Sequence, residues 1–224
     1  MDAQRWTFGV APLPQTQRVA GLLRRVTGLV LALEHEETVV EALVARLEEV
    51  EEALGRLVPP DAGPRVGAAA PPDGRVYLDH ARDIGSYNPC FPEYRIEVDG
   101  PHATGSVTFP TPYEGPPGIV HGGFLALFFD CVVQHHNCEV GVAGKTTSMT
   151  LRYHRPVPLL APLAFTVERS VGDGRIRSSA RLLDGERVLC EAEVDALAGD
   201  RTALPEVSAR RGAPSRGAPR GGAP

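Results

Sequence analysis

"YEGPPGIVHGGFLALFFD", residues 113–130, is the stretch on which the fold turns. It runs through glycines and prolines, becomes apolar at Ile119, pauses at His121-Gly122-Gly123, and stays apolar until one carboxylate, Asp130. Apolar residues continue past that carboxylate, so the pattern predicts one long helix over 119–137. If the helix begins near Gly122, His121 and Asp130 are nine residues apart, roughly 13 Å along the axis at ~1.5 Å per residue. At about 100° per residue they also point in nearly opposite directions. One copy of the helix cannot present both to the same small ligand. A site that uses both must therefore be assembled from two chains.

Each end of the helix has its own chemistry. At the N-terminus, free backbone N–H groups and the positive end of the helix dipole point outward. Gly122 and Gly123 have no side chain to block a ligand, so a carbonyl oxygen could reach an N–H and be stabilised as an oxyanion. The same Gly-Gly pair is also explained by close helix–sheet packing, with His121 hydrogen-bonding locally. Asp130 has Leu127, Phe128, Phe129, Cys131, Val132 and Val133 around it in sequence. A carboxylate in that company is paired, exposed at an interface, or held for use, because burying it alone is costly.

The rest of the chain supplies a frame. The 224 residues suffice for one good core with an appended piece. A formal net charge of −5 argues against nucleic acid as the main partner. No signal-peptide pattern opens the sequence, and no uncharged apolar run reaches the ~18 residues a membrane span needs. Cys90, Cys131, Cys138 and Cys190 lack the density of a disulfide scaffold, which suggests free thiols and a cytoplasmic setting. Apolar residues at helical spacing predict a helix over 16–34 and another over 37–57, read together as a hairpin. The second helix places Val40, Leu43, Val44, Leu47, Val50 and Leu54 on one face and glutamates on the other. A structural role is expected for this pair, against the main domain or another subunit.

Residues 59–75 are rich in Pro, Gly and Ala and read as a linker after an N-terminal region of 1–58. Residues 201–224 are an Arg/Gly/Pro tail expected to be disordered. The folded domain is expected over 76–200. Segments 93–98 and 104–109 flank Asp99-Gly100 as a strand pair, and four more strands are expected at 145–154, 163–171, 175–182 and 187–196. In the last of these, Cys190, Ala192 and Val194 alternate with Glu191, Glu193 and Asp195, giving one buried and one wet face. One apolar helix with one sheet to cover it implies an α+β fold, an antiparallel sheet wrapped around a central helix.

"GPPGIVHGGFLALFFD", followed sixteen residues after its Asp by Thr146 within "KTTSMTLRYHRPVPL", resembles the hotdog-fold acyl-CoA thioesterases of the phenylacetic-acid-pathway and THEM type. The resemblance spans about residues 86–198 and includes Tyr87-Asn88-Pro89. It implies hydrolysis of an acyl-CoA thioester by a homodimer or dimer of dimers, with no cofactor and no metal. It also implies roles: the Gly122 N–H polarises the thioester carbonyl and His121 shapes the turn. Asp130 from the partner activates water or attacks directly, and Thr146 holds the water or the Asp. Gly123 and Glu114 are candidate substrate contacts. Arg155, with Arg152 or Arg177, is a candidate for coenzyme A phosphates, although an arginine at a strand end is also explained by solvation alone. Some relatives carry Asn or Gln about six residues before the His, where this chain has Gly115 beside Glu114. Phe124, Phe128 and Phe129 are bulky for such a helix and would narrow an acyl tunnel.

Cys131, His135, His136 and Cys138 fall within eight residues, but lack the paired spacing of a zinc site. A Cys–His nucleophile there would place the thiol in apolar company, where thiols are usually inert. No G-x-S-x-G is present. Two rivals to the hydrolase remain: a non-catalytic acyl-CoA or acyl-carrier binding protein, and an interaction module built on the N-terminal helices.

Overall fold

The glycine–proline approach to residue 122 decides where the central helix starts. In the computed structural model, which describes residues 9–67, 70–79, 82–141, 144–199 and 210–211, that helix, α3, spans Gly122–Val140. It starts three residues later than the apolar pattern predicts. Ile119 and Val120 instead pair in extended form with Pro158 and Glu114, because Gly118 takes a positive φ of 77° and His121 is extended. Gly141, at φ 102°, ends the helix in the left-handed cap that glycine adopts without strain.

Two helices precede it, α1 over Pro14–Leu31 and α2 over Thr38–Gly55. The stretch read as a linker carries two short strands, β1 (Asp61–Arg65) and β2 (Gly74–Val76), paired in parallel. A Cβ on Gly74 would lie 2.8 Å from the Gly63 carbonyl. The glycines that look like flexible spacers are thus what let these two segments touch. Trp6, Phe8 and all of the 201–224 tail except Arg210 and Arg211 lie outside the described residues.

The remaining strands are β3 (Tyr94–Asp99), β4 (His102–Thr108), β5 (Gly144–Tyr153), β6 (Pro162–Gly172), β7 (Arg175–Asp184) and β8 (Arg187–Ala198). They form one antiparallel six-stranded sheet in the order β3-β4-β6-β7-β8-β5. The strand that follows α3 therefore crosses to the far edge, beside β8. The sheet's inner face packs on α3, whose Phe128, Phe129, Val132 and Val133 are fully buried. Each such side chain contributes roughly 1.5–3 kcal/mol of burial. Phe165 on β6 meets Phe128 edge-on, ring centroids 5.4 Å apart. Gly105 on β4 leaves the space for it, since a Cβ there would come within 2.2 Å of the Phe165 ring. A sheet wrapped around a single apolar helix is the α+β hotdog arrangement expected from the sequence.

α1 is fastened to this body by an arginine. Arg24 is buried, and its guanidinium donates to the carbonyls of Phe91, Gly85 and Asn88 at 2.8, 2.7 and 2.9 Å and to Glu93 at 2.6 Å. α2 buries none of its residues. Of the two helices expected to pack, one docks on the domain and the other stands away from it. Among the described residues, no helix is long and apolar enough to cross a membrane.

Candidate functional site

At the N-terminus of α3, His121 is the helix cap. Its Nδ1 accepts from the Gly123 N–H at 3.0 Å, which leaves the ring proton on Nε2. The backbone N–H of His121 donates to the Tyr113 carbonyl at 2.9 Å. Gly123 is thus committed to the cap, whereas the Gly122 N–H has no acceptor among the described residues. Tyr153, at the end of β5, donates its hydroxyl to the Gly122 carbonyl at 3.0 Å. A Cβ on Gly122 would stand 3.2 Å from the Tyr153 ring. Close packing and an open N–H are both present here, so the two readings of Gly-Gly coexist.

The approach loop is tightly specified. A Cβ on Gly115 would come within 2.9 Å of the His121 Cα, so this backbone leaves no room for an Asn or Gln at that position. Beside it, Glu114 accepts from the Gly118 N–H at 2.6 Å and closes the Gly-Pro-Pro-Gly turn. One oxygen of this candidate substrate contact therefore shapes the loop.

One face of α3 carries the second group. The Thr146 hydroxyl donates to Asp130 Oδ1 at 2.8 Å. Gln134, one turn beyond Asp130 on the same face, donates from Nε2 to Thr146 Oγ1 and to the Gly144 carbonyl, both at 3.0 Å. With its oxygen accepting from Gln134, the Thr146 hydroxyl is oriented toward the carboxylate. Gln134 escaped the sequence reading, although its i+4 spacing from Asp130 was a visible signal.

A bulge places Thr146. The β5–β8 register shifts between Thr146 and Ser148. Met149 and Leu151 pack against the core, and strict alternation would point Thr147 inward with them. The extra residue instead sends the Thr147 hydroxyl to the Asp195 carbonyl at 3.1 Å and turns Thr146 to α3.

His121 and Asp130 thus belong to separate clusters. Neither lines the cavity of about 1010 Å³ between α1 and the β3–β4 edge. Around them lies partly open surface. Leu127 is 44% exposed, Tyr153 56%, and Leu197 on the neighbouring β8 49%. Arg155 is exposed just past β5, its backbone N–H donating to the Leu189 carbonyl at 3.0 Å. Arg177 lies 3.7 Å from Asp195, and Arg152 is exposed. Among the described residues, no hydrogen bond or ion pair ties these three guanidinium groups to the other candidates.

The Cys–His cluster on α3 is divided among different tasks. His135 Nδ1 lies 2.7 Å from the Tyr94 hydroxyl and 3.2 Å from the Asp83 N–H, while His136 Nε2 meets the Gly100 carbonyl at 2.8 Å. Burial lowers the pKa of His135 to about 4 and raises that of the Cys131 thiol to about 12. A thiol so placed is a poor nucleophile at neutral pH. Phe128 and Phe129 are core residues, and Phe124 packs edge-on against Tyr113 with ring centroids 5.0 Å apart.

No protein-family model matches the chain. A crystal structure of a thioesterase superfamily protein aligns with 85% of this chain and 94% of its own, at 28% identity and a TM-score of 0.68. Residues 76–200 alone cannot supply that share, so the alignment extends into the flanking segments that the sequence resemblance left out. A hypothetical thioesterase with coenzyme A from Streptococcus pneumoniae TIGR4 and thioesterase superfamily member 2 from Mus musculus each align with 47% of this chain. They span 88% and 82% of their own chains, at 21% and 14% identity and TM-scores of 0.44, an overlap too slight to carry weight. By the wide match and by the sheet wrapped on α3, the chain has the hotdog fold and is similar to proteins of the thioesterase superfamily.

Proposed function

We propose that the protein hydrolyses acyl-CoA thioesters at a site shared by two copies of the chain. The observation that carries this reading is the Asp130–Thr146–Gln134 relay at one part of α3, with an unclaimed Gly122 N–H at the other end. In the shared site, the thioester carbonyl oxygen accepts from Gly122 of one copy, aided by the positive end of the helix dipole. Asp130 of the other copy takes a proton from water, which attacks the carbonyl carbon. The C–S bond then breaks, leaving a free acid and the coenzyme A thiol. Direct attack by Asp130 would pass through an anhydride and give the same products. His121 holds the Gly123 turn, Thr146 holds one Asp130 oxygen so that the other faces the reacting atom, and Arg155 is the candidate for coenzyme A phosphates.

Turnover of an acyl-CoA panel should fall at least about 100-fold in Asp130→Asn with the oligomer intact. Equal turnover by wild type and variant would remove Asp130 from the mechanism, and tight binding without hydrolysis by either would favour a binding protein. The shared site has a sharper test. Asp130→Asn and His121→Ala homodimers should each be nearly inactive, while a co-refolded equal mixture should recover about a quarter of wild-type activity. Half the dimers are then mixed, each with one intact site, as two-fold symmetry requires. No recovery would overturn the two-chain arrangement. A single turnover in heavy-oxygen water separates the chemical routes, because only a nucleophilic Asp130 acquires label.

A further inference from the structure

α1 docks through an unexpected face. Its buried residues are Ala20, Gly21 and Arg24, two small side chains and an ion-paired arginine. Val19, Leu22, Val26 and Leu29 lie on the opposite side, and Val19, Leu22 and Leu29 are 53%, 52% and 69% exposed. In α2, Val40, Leu43, Leu47, Val50 and Leu54 form a comparable stripe, with Leu47, Val50 and Leu54 at 43%, 39% and 54% exposure. Within both stripes apolar residues recur every three or four positions, and Val30 in α1 and Val44 in α2, 39% and 44% exposed, widen them. Such a stripe is a seam along which amphipathic helices pack on one another. Within one chain the two seams leave each other uncovered.

Charge identifies what covers them. Between its ends α1 carries Arg18, Arg24 and Arg25 and no acidic residue, whereas α2 carries five glutamates against Arg46. Two α1 helices would repel each other, and so would two α2 helices, but α1 and α2 attract. We propose that the α1–α2 seams are an interface with a second copy of this chain, α1 of one copy lying along α2 of the other. Exposed seams on both helices then bury each other, Arg18 and Arg25 at the border of one seam face Glu51 at the border of the other, and Arg24 keeps each α1 fixed to its own domain. The hairpin is accordingly an assembly element, added to a domain whose core is complete without it.

A photo-crosslinking residue at Leu47, in full-length protein co-refolded from equal amounts of ¹⁴N- and ¹⁵N-labelled chains, tests this directly. About half of the crosslinks to α1 should join peptides of unlike isotope, as random mixing of two-chain assemblies gives. The same residue at Glu52, on the outer face, should give no crosslink to α1. Crosslinks exclusively between like isotopes would show that the seam is covered within its own chain, and none at all would show it uncovered; either overturns the proposal. As a second measure, Leu47→Glu with Leu54→Glu should weaken self-association in sedimentation by at least about 10-fold, and an unchanged constant would count against it. The readouts are isotope pairing and mass, so they stand apart from any failure of the proposed hydrolysis.

Discussion

A single extra residue in β5 determines what Asp130 can do. Without the bulge at Thr147, alternation would send Thr146 to the outer face and leave the carboxylate without its hydroxyl donor. Gln134 completes the device by supplying protons alone, to Thr146 and to the Gly144 carbonyl. In the proposed hydrolysis it would be a positioning residue, acting through Thr146. Gln134→Leu should therefore lower kcat by about 10-fold while leaving KM and oligomer mass unchanged, as expected when one neutral hydrogen bond to the working group is lost. An equal change in KM would point instead to a binding role. Asp130, Thr146, His121 and Gly122 were all legible as candidates in the sequence. The bulge was not, because a register shift depends on the partner strand.

At the scale of elements, α1 shows how one residue can dock a helix whose apolar stripe faces away from the body. Arg24 donates four hydrogen bonds, three to carbonyls. Truncation would leave those buried acceptors unmatched and Glu93 without its partner. Arg24→Ala should loosen α1 by about 3 kcal/mol, the scale for leaving buried hydrogen-bond acceptors unmatched. Amide exchange in α1 should then accelerate by roughly two orders of magnitude while exchange in α3 stays slow. Uniform acceleration would mean that Arg24 supports the whole domain. The helices were legible from their periodicity, but which face of α1 docks was not. Apolar spacing points to the Val19–Leu29 stripe, and the structure buries the arginine side. Likewise the β1–β2 pairing was hidden in a stretch whose composition suits a linker, since its pairing depends on distant backbone.

Over the whole molecule, two titrating groups on neighbouring elements oppose each other. Burial, with Arg82 and His136 nearby, lowers the pKa of His135 from 6.5 to about 4 despite Glu139. Between those values the unfolded chain binds a proton that the native ring refuses, so stability falls as pH drops through the window. Asp83, raised by burial from 3.8 to about 6 despite its bond to Ser86 and the nearby Arg24 and Arg82, behaves in the opposite sense. Native protein holds that proton where the unfolded chain does not, so stability rises as pH drops from about 6 to 3.8. The two effects oppose each other across that window. Asp83→Asn should thus raise stability at pH 7, with Asn well suited to the left-handed backbone at φ 47°. It should also expose a loss between pH 6 and 4 that Asp83 opposes in wild type, read from urea midpoints; parallel pH curves for the two proteins would refute the opposition. The sequence by itself determined the sheet-and-helix order, the long apolar α3 and the opposed placing of His121 and Asp130. These follow from period and rise, which are local properties of the chain. Only the tertiary structure decided that Thr146 reaches Asp130, that Gly115 leaves no room for a side chain, and that α1 turns its apolar seam outward. Those depend on registers and contacts between segments far apart in the chain, where packing overrides local preference.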